Sequence, residues 1–462
     1  MMEAQLGTPQ EKRGFYRNAL GIMLPIALQN LMDTAVNSAD VIMLSYVSQE
    51  ALSASSLAGQ VAFIMSNLIY GLSSASSVMA AQYWGKGDRS AVERVLGMAL
   101  RLALMVSVVF ALAAAVFPAQ IMRIFTPDPA LIAEGEVYLR TVSASYVLGA
   151  FAQIYLSVMR SVERVAITAI IHGGAVVMNV VLNACFIFGF GPFPELGIFG
   201  VALATTITRV VEAAVCLTDG ALCRRIRLRV RYLLARGGQL MRDFVKLAVP
   251  AAANDIVWGL AFSVYSIILG HLSSDIVAAN SVASVVRNLG TVMCFGTASA
   301  AGIVLGKALG ENRLEAAKVY AKRFIGMAVV TAIIGGAAVL LLRQPVLDFM
   351  HLYVKDATQQ ARDDLNLMLY INSYYIMGVS LNTMLICGIF RAGGDVRYGL
   401  ICDMVSMWLS AVPMGLFCAF VLKLPEMWVY FILCLDEFVK LPVNIWYYKK
   451  RRWVKNITRE QA

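Results

Sequence analysis

Two carboxylates seven residues apart, Asp33 and Asp40, interrupt an otherwise apolar run, YRNALGIMLPIALQNLMDTAVNSADVIMLSY, at residues 16–46. In a helix that spacing sets them within about 20° of one another on one face. At about 1.5 Å per residue the run reaches roughly 45 Å, more than the hydrocarbon core of a bilayer. An acid inside such a segment is costly, and it marks an ion path or a bundle interior. The chemistry it offers is charge movement, because a carboxylate shielded from bulk water can load and unload a proton or a cation. Further along, Asn179 and Asn183 share one face of the apolar segment 165–190, and Thr205 and Thr206 reach a similar depth in 198–219. Polar groups in lipid find their partners within the protein, so these side chains are expected to face Asp40. Hydrogen bonding between helices accounts equally well for the amides and hydroxyls. It does not account for an ionisable group.

Other charged residues in apolar stretches have plainer readings. Arg209 and Glu212, three apart, suit a packing salt bridge, and Asp436, Glu437 and Lys440 can neutralise one another. Asp255, Asp403 and Arg287 are candidates to line a cavity in the second half, and Asp33 is either a second titrating site or cavity lining. His172, His271 and His351 share no metal spacing, and no metal site is expected.

The elements that must carry these residues are membrane helices. Of 462 residues 59% are hydrophobic and only 15% charged, with a mean hydropathy of +0.70, which excludes an ordinary soluble protein. No short apolar segment followed by a small-residue cleavage site opens the chain, so the first helix is expected to be retained. Eight scattered cysteines without CxxC spacing read as small packing residues. Twelve apolar segments are long enough to span: 16–46, 51–82, 91–117, 131–159, 165–190, 198–219, 243–270, 276–305, 315–342, 364–390, 397–422 and 426–448. With both termini on one side, 32 of the 39 Lys and Arg fall on that side, 6 on the other, and Arg287 lies within a span. Termini in the cytoplasm are therefore expected, in a multi-pass protein of the plasma membrane. The net charge of +10 follows from this topology and calls for no nucleic acid.

The halves repeat. At an offset of 225, Pro25 meets Pro250, ALSASSLAGQV (51–61) meets IVAANSVASVV (276–286), and Asp40 meets Tyr265. The expected fold is all-α, with twelve transmembrane helices in two six-helix lobes related by a pseudo-twofold axis along the membrane normal. The lobes are 1–219 and 243–448, joined by a basic cytoplasmic linker at 220–242 and followed by a basic tail at 449–462. Tyr265 is no acid, so the coupling chemistry is expected in the first lobe.

Together these residues resemble the multidrug and toxic compound extrusion (MATE) transporters, in their bacterial DinF-like branch. The resemblance rests on the Pro25 to Asp40 interval, AQYWGKGD (81–88), Arg160, GVALATTITR (200–209), DIVAANSVASVVRNL (275–289), RAGGD (391–395) and LDEFVKLP (435–442), and covers nearly the whole chain. It implies alternating-access export of amphipathic, often cationic compounds against inward proton or sodium flow. It makes Asp40 the coupling acid, Pro25 the point where the first helix bends, and Asn179 the polar partner. Asn183 stands where some members have a second acid, and Trp258 and Ser380 stand where another branch has an acidic pair. Both departures favour proton over sodium. The expected partners are a small amphipathic substrate and the lipid bilayer, with the chain as a monomer and no cofactor beyond the coupling ion. A lipid or lipid-linked oligosaccharide flippase of the same superfamily is the alternative, but a cavity for pyrophosphate-linked sugars should hold several cations. An enzyme is not expected, because clustered acids or an acid/base His at the membrane face are missing.

Overall fold

The computed structural model describes residues 8–189, 194–223, 225–234, 238–353 and 358–459, and all regular structure among them is helical. The first half holds α1 (Pro9–Val47), α2 (Gln49–Lys86), α3 (Arg89–Val116), the short α4 (Pro118–Phe125), α5 (Pro129–Ser161), α6 (Val165–Phe188) and α7 (Gly197–Leu222). A five-residue helix, α8 (Val230–Leu234), lies in the basic connection. The second half holds α9 (Gly238–Gly270), α10 (Ser274–Gly310), α11 (Leu314–Tyr353), α12 (Gln359–Thr383), α13 (Val396–Asp403), α14 (Val412–Leu416), α15 (Glu426–Leu433) and α16 (Asp436–Lys449). Wider π-helical turns continue α12 through Met384–Phe390 and join α13 to α14 and beyond through Met404–Ala411 and Phe417–Val421.

The helix ends are written in the sequence. Ser48 caps α2 by accepting from the Ala51 N–H at 2.9 Å, and Gly87 closes it in the left-handed conformation at φ 82. Asp88 then caps α3, accepting from the Ala91 N–H at 3.0 Å, so the GKGD turn is a stop followed at once by a start. Gly394, at φ 78, serves the RAGGD turn in the same way.

Among the described residues eleven helices are long and apolar enough to cross a membrane. The segment read as a twelfth span, 426–448, is two helices, because α15 ends at Leu433 and α16 begins at Asp436. The pieces, of 8 and 14 residues, are each shorter than the roughly 20 residues a helix needs to cross a bilayer.

Contacts group the described residues into two compact units. One runs from Gln29 to Ala252 and includes the end of the tail from Thr458. The other holds the chain up to Leu28 together with Ala253–Ile457. The chain thus passes from one unit to the other inside α1, just after Pro25, and inside α9, just after Pro250. Each unit is sealed by a close approach related by the repeat offset. In one, Gly71 of α2 meets Ala252 of α9, where a Cβ on the glycine would lie 2.3 Å from the alanine backbone. In the other, Gly296 of α10 meets Ala27 of α1, where a Cβ would lie 3.0 Å from the alanine side chain. Only glycine lets the helices approach this closely, the small-residue packing typical of membrane helices. Within the first-lobe unit α5 is packed by α2, α3 and α7, and in the other α10, α11 and α12 pack on one another.

Candidate functional site

The polar residues of the first lobe form two rungs between α1 and α6. The upper rung holds Asp40. Its carboxylate accepts a 2.7 Å hydrogen bond from Asn183 Nδ2, which also lies 3.3 Å from Asn179 Oδ1. Asn183 is fully buried, and its own Oδ1 has no hydrogen-bond partner. Among the described residues no basic side chain pairs with Asp40. Three other buried or half-buried acids of this lobe rest on bases: Asp219 on Arg164 at 2.7 Å, Glu93 on Arg229 at 2.9 Å, and Glu212 on Arg209 at 2.5 Å. Among the described residues, Asp40 is therefore a carboxyl group in the membrane held by an amide and by no base.

One helical repeat of seven residues further in, roughly 10 Å away, lies the lower rung. There His172 bridges two carboxylates, with Nε2 2.9 Å from Asp33 Oδ1 and Nδ1 3.0 Å from Glu212 Oε1. Glu212 is buried, while Asp33 is about half exposed. A neutral imidazole has one N–H, and an ionised carboxylate only accepts. Both contacts become hydrogen bonds only when the triad carries one proton more than a neutral ring between two carboxylates. Sequence reasoning set His172 aside because it searched for metal spacing. The available signal was the stripe His172, Asn179, Asn183 on one face of α6, with the same seven-residue step that separates Asp33 from Asp40.

Thr205 makes no hydrogen bond to Asp40. It lines a cavity of about 210 Å³ in the same unit, with Tyr70, Tyr138, Tyr146, Gln153 and Arg209 around it. Its neighbour Thr206 donates to the Thr141 and Ala202 carbonyls, which is helix-to-helix bonding. Tyr138 links the cavity to the upper rung, lying close enough to Asp40 to interact through its charge. The Tyr146 hydroxyl is buried without a partner on the cavity wall. Pro25 sits within α1, with Ile22, Met23, Ile26 and Ala27 around it buried in the unit that includes the second half.

In the second half the candidates separate. Asp255 pairs with Arg391 at 3.0 Å, and Asn254 joins that pair to Asp403, donating to Asp403 at 2.7 Å and accepting from Arg391 at 2.8 Å. Lys440 holds Asp403 at 3.0 Å and Glu437 at 2.7 Å. Asn382 donates to Glu437 and accepts from Asn444 at 2.8 Å, so the bonded network takes in α9, α12, α13 and α16. Arg287 and Tyr265 stand apart from it in an aromatic pocket.

A repeated, all-helical bundle that holds unpaired and proton-sharing acids inside membrane spans defines a polytopic transporter. The MatE family model matches the chain at residues 25–185 and again at 250–417, beginning at Pro25 and at Pro250, the pair that aligns the halves. The chain belongs to the MatE family. It is 21% identical over 439 residues to "Uncharacterized transporter YisQ" of Bacillus subtilis (strain 168), covering 93% of each chain. It is 25% identical over 420 residues to "Probable multidrug resistance protein NorM" of Rhizobium meliloti (strain 1021), covering 89% of this chain and 87% of the relative. A solved structure described as "Outward-facing conformation of a multidrug resistance MATE family transporter of the MOP superfamily" superposes with a TM-score of 0.84 at 19% identity, covering 94% of this chain and 95% of that one.

Proposed function

We propose that this transporter exports amphipathic, cationic small molecules from the cytoplasm in exchange for protons, and that Asp40 carries the coupling charge. The observation that carries the reading is that Asp40 is bound by an amide and, among the described residues, by no basic side chain. A lone carboxylate in a membrane is costly, so the group is neutralised either by a proton or by a positively charged substrate. The two compete for one charge, and competition of this kind couples efflux to proton entry. The cavity beside Tyr138 supplies aromatic walls for the substrate cation. The His172 triad offers a second position for a proton along the same pair of helices.

Asn183 turns its NH2, a donor, toward Asp40. Asn183 also stands where some members of the family have a second acid, which favours proton over sodium coupling. The distribution of Lys and Arg supports a plasma-membrane orientation with cytoplasmic termini. The test is transport into proteoliposomes under an imposed pH gradient, compared with an imposed sodium gradient at clamped pH. The pH gradient is expected to drive substrate movement and the sodium gradient to drive little. Strong sodium-driven flux at clamped pH overturns the proton assignment.

A further inference from the structure

We infer that the pocket around Arg287 is an anion-binding subsite, taking the oxyanion head of an amphipathic molecule. The pocket lies wholly within the second-half unit and is formed by α9, α10, α12 and α15 with the turn after it. Arg287 sits on α10 with its guanidinium 5.3 Å from the Phe262 ring and 5.9 Å from the Tyr375 ring. Two other buried basic groups of this unit rest on carboxylates: Arg391 on Asp255, and Lys440 on Asp403 and Glu437. Among the described residues no carboxylate pairs with Arg287. Stacking on aromatic faces offsets only part of the loss of water around a guanidinium, so the site favours an arriving negative charge.

A second observation points the same way. Tyr265 lines this pocket, and among the described residues its buried hydroxyl has no hydrogen-bond partner, whereas the Tyr430 hydroxyl beside it is already committed to Asn372 at 2.8 Å. Guanidinium N–H groups and a free O–H make a cluster of donors, which suits a carboxylate or phosphate oxygen. The facing acid is Asp436 of α16, which acts on Arg287 and Tyr265 through space without pairing with the arginine, and Lys440 acts on Asp436 in turn. The cavity is about 30 Å³, roughly the volume of one water, so it admits a single oxygen of an anionic head and not a drug-sized body. Leu269, Leu433 and Phe262 form its apolar margin. At the repeat offset Tyr265 takes the place of Asp40, so the second half presents donors where the first presents an acid.

The inference deepens the export reading, on which it rests for the identity of the bound molecule: substrates include zwitterions whose negative end seats at Arg287. The same chemistry could be met by a lipid phosphate, and the test separates the two. Full-length protein in neutral detergent is titrated calorimetrically with naphthalene-2-carboxylate and with its uncharged amide. The titration is repeated in nanodiscs of phosphatidylcholine with and without phosphatidylglycerol. The acid should bind at least tenfold tighter than the amide, and Arg287→Met should abolish that preference. Arg287→Lys should retain part of it, and Tyr265→Phe should weaken the acid several-fold. Competition by phosphatidylglycerol assigns the site to lipid, and indifference to it assigns the site to the substrate's own anion. Equal affinity for acid and amide in the parent protein overturns the proposal, as does a preference unchanged in Arg287→Met. If Arg287→Met does not fold, an undiminished acid preference in both Arg287→Lys and Tyr265→Phe overturns it instead. Export of a monocation without an anionic end is measured separately in the parent protein; its absence counts against the export reading, whereas the acid-to-amide comparison tests the subsite alone.

Discussion

Replacing His172 is the sharpest probe of the lower rung. In His172→Ala two contacts at 2.9 and 3.0 Å disappear, and Glu212, buried, is left to Arg209 alone. Hydrogen bonds to charged groups contribute about 1.5–3 kcal/mol each when their loss leaves a buried partner behind. Asp33 is about half exposed, and water replaces much of what it loses, so most of the effect belongs to Glu212. The expected destabilisation is about 3 kcal/mol in all. The assay is denaturant or thermal unfolding of the purified protein in detergent, read by intrinsic fluorescence, for His172→Ala, Glu212→Gln and the double variant. Residues that share a bonded network are non-additive, so the double variant should be more stable than the sum of the singles predicts by about 1 kcal/mol or more. Additive effects, or a cost for His172→Ala below about 0.5 kcal/mol, the level of an ordinary surface change, would refute the proton-sharing triad.

Three further outcomes follow from the packing and the charges. Gly71→Ala drives a Cβ into Ala252 and should lower stability by about 1–3 kcal/mol, whereas Gly59→Ala, with open space around it, should be neutral or gain up to about 1 kcal/mol. Unfolding midpoints of the two variants decide this. Lys440→Met leaves Asp403 and Glu437 buried without their cation and should cost about 3–5 kcal/mol, read as loss of monodisperse protein on size exclusion. Tyr138→Phe keeps the ring on the cavity wall and should leave the affinity for a cationic substrate within about threefold, while Tyr138→Ala should weaken it about tenfold, both read by equilibrium binding.

Much of the fold was legible because the bilayer imposes its pattern on sequence. Apolar runs of the right length gave the spans, and Pro25 with Pro250 gave the repeat. The split of the last segment was not legible, since Asp436, Glu437 and Lys440 read as tolerated charges inside one span rather than as the start of a new helix. The close approaches at Gly71 and Gly296 were also hidden. Their numbers differ by the repeat offset, but a glycine shows its purpose only when the facing backbone is known. Asp40 stood out because an acid in an apolar run is costly wherever its partners lie, and Asn179 and Asn183 followed from spacing on a single helix. His172 was missed because its carboxylates lie on two other helices, far away in sequence, and local spacing cannot report them. Thr205 shared the depth of Asp40 but not its direction, since depth comes from counting residues and direction from the rotation of a neighbouring helix. Asp255 and Asp403 line a second-half cavity, as their place in apolar stretches suggests, but the network that joins them to Lys440 and Glu437 was hidden for the same reason: Asn254, Asn382 and Asn444 connect it, and neutral amides carry no signal of burial.

The most direct test of the account is Asp40→Asn in proteoliposomes, with proton movement and substrate movement recorded together. Asparagine keeps the size and hydrogen-bonding capacity of the acid while fixing the site neutral, and removing an ionisable group from the membrane does not endanger insertion. The account predicts a folded protein that binds to membranes normally, moves no protons with substrate, and cannot build a substrate gradient from a pH gradient. Uphill transport by Asp40→Asn at a rate and proton stoichiometry close to the parent's would contradict it.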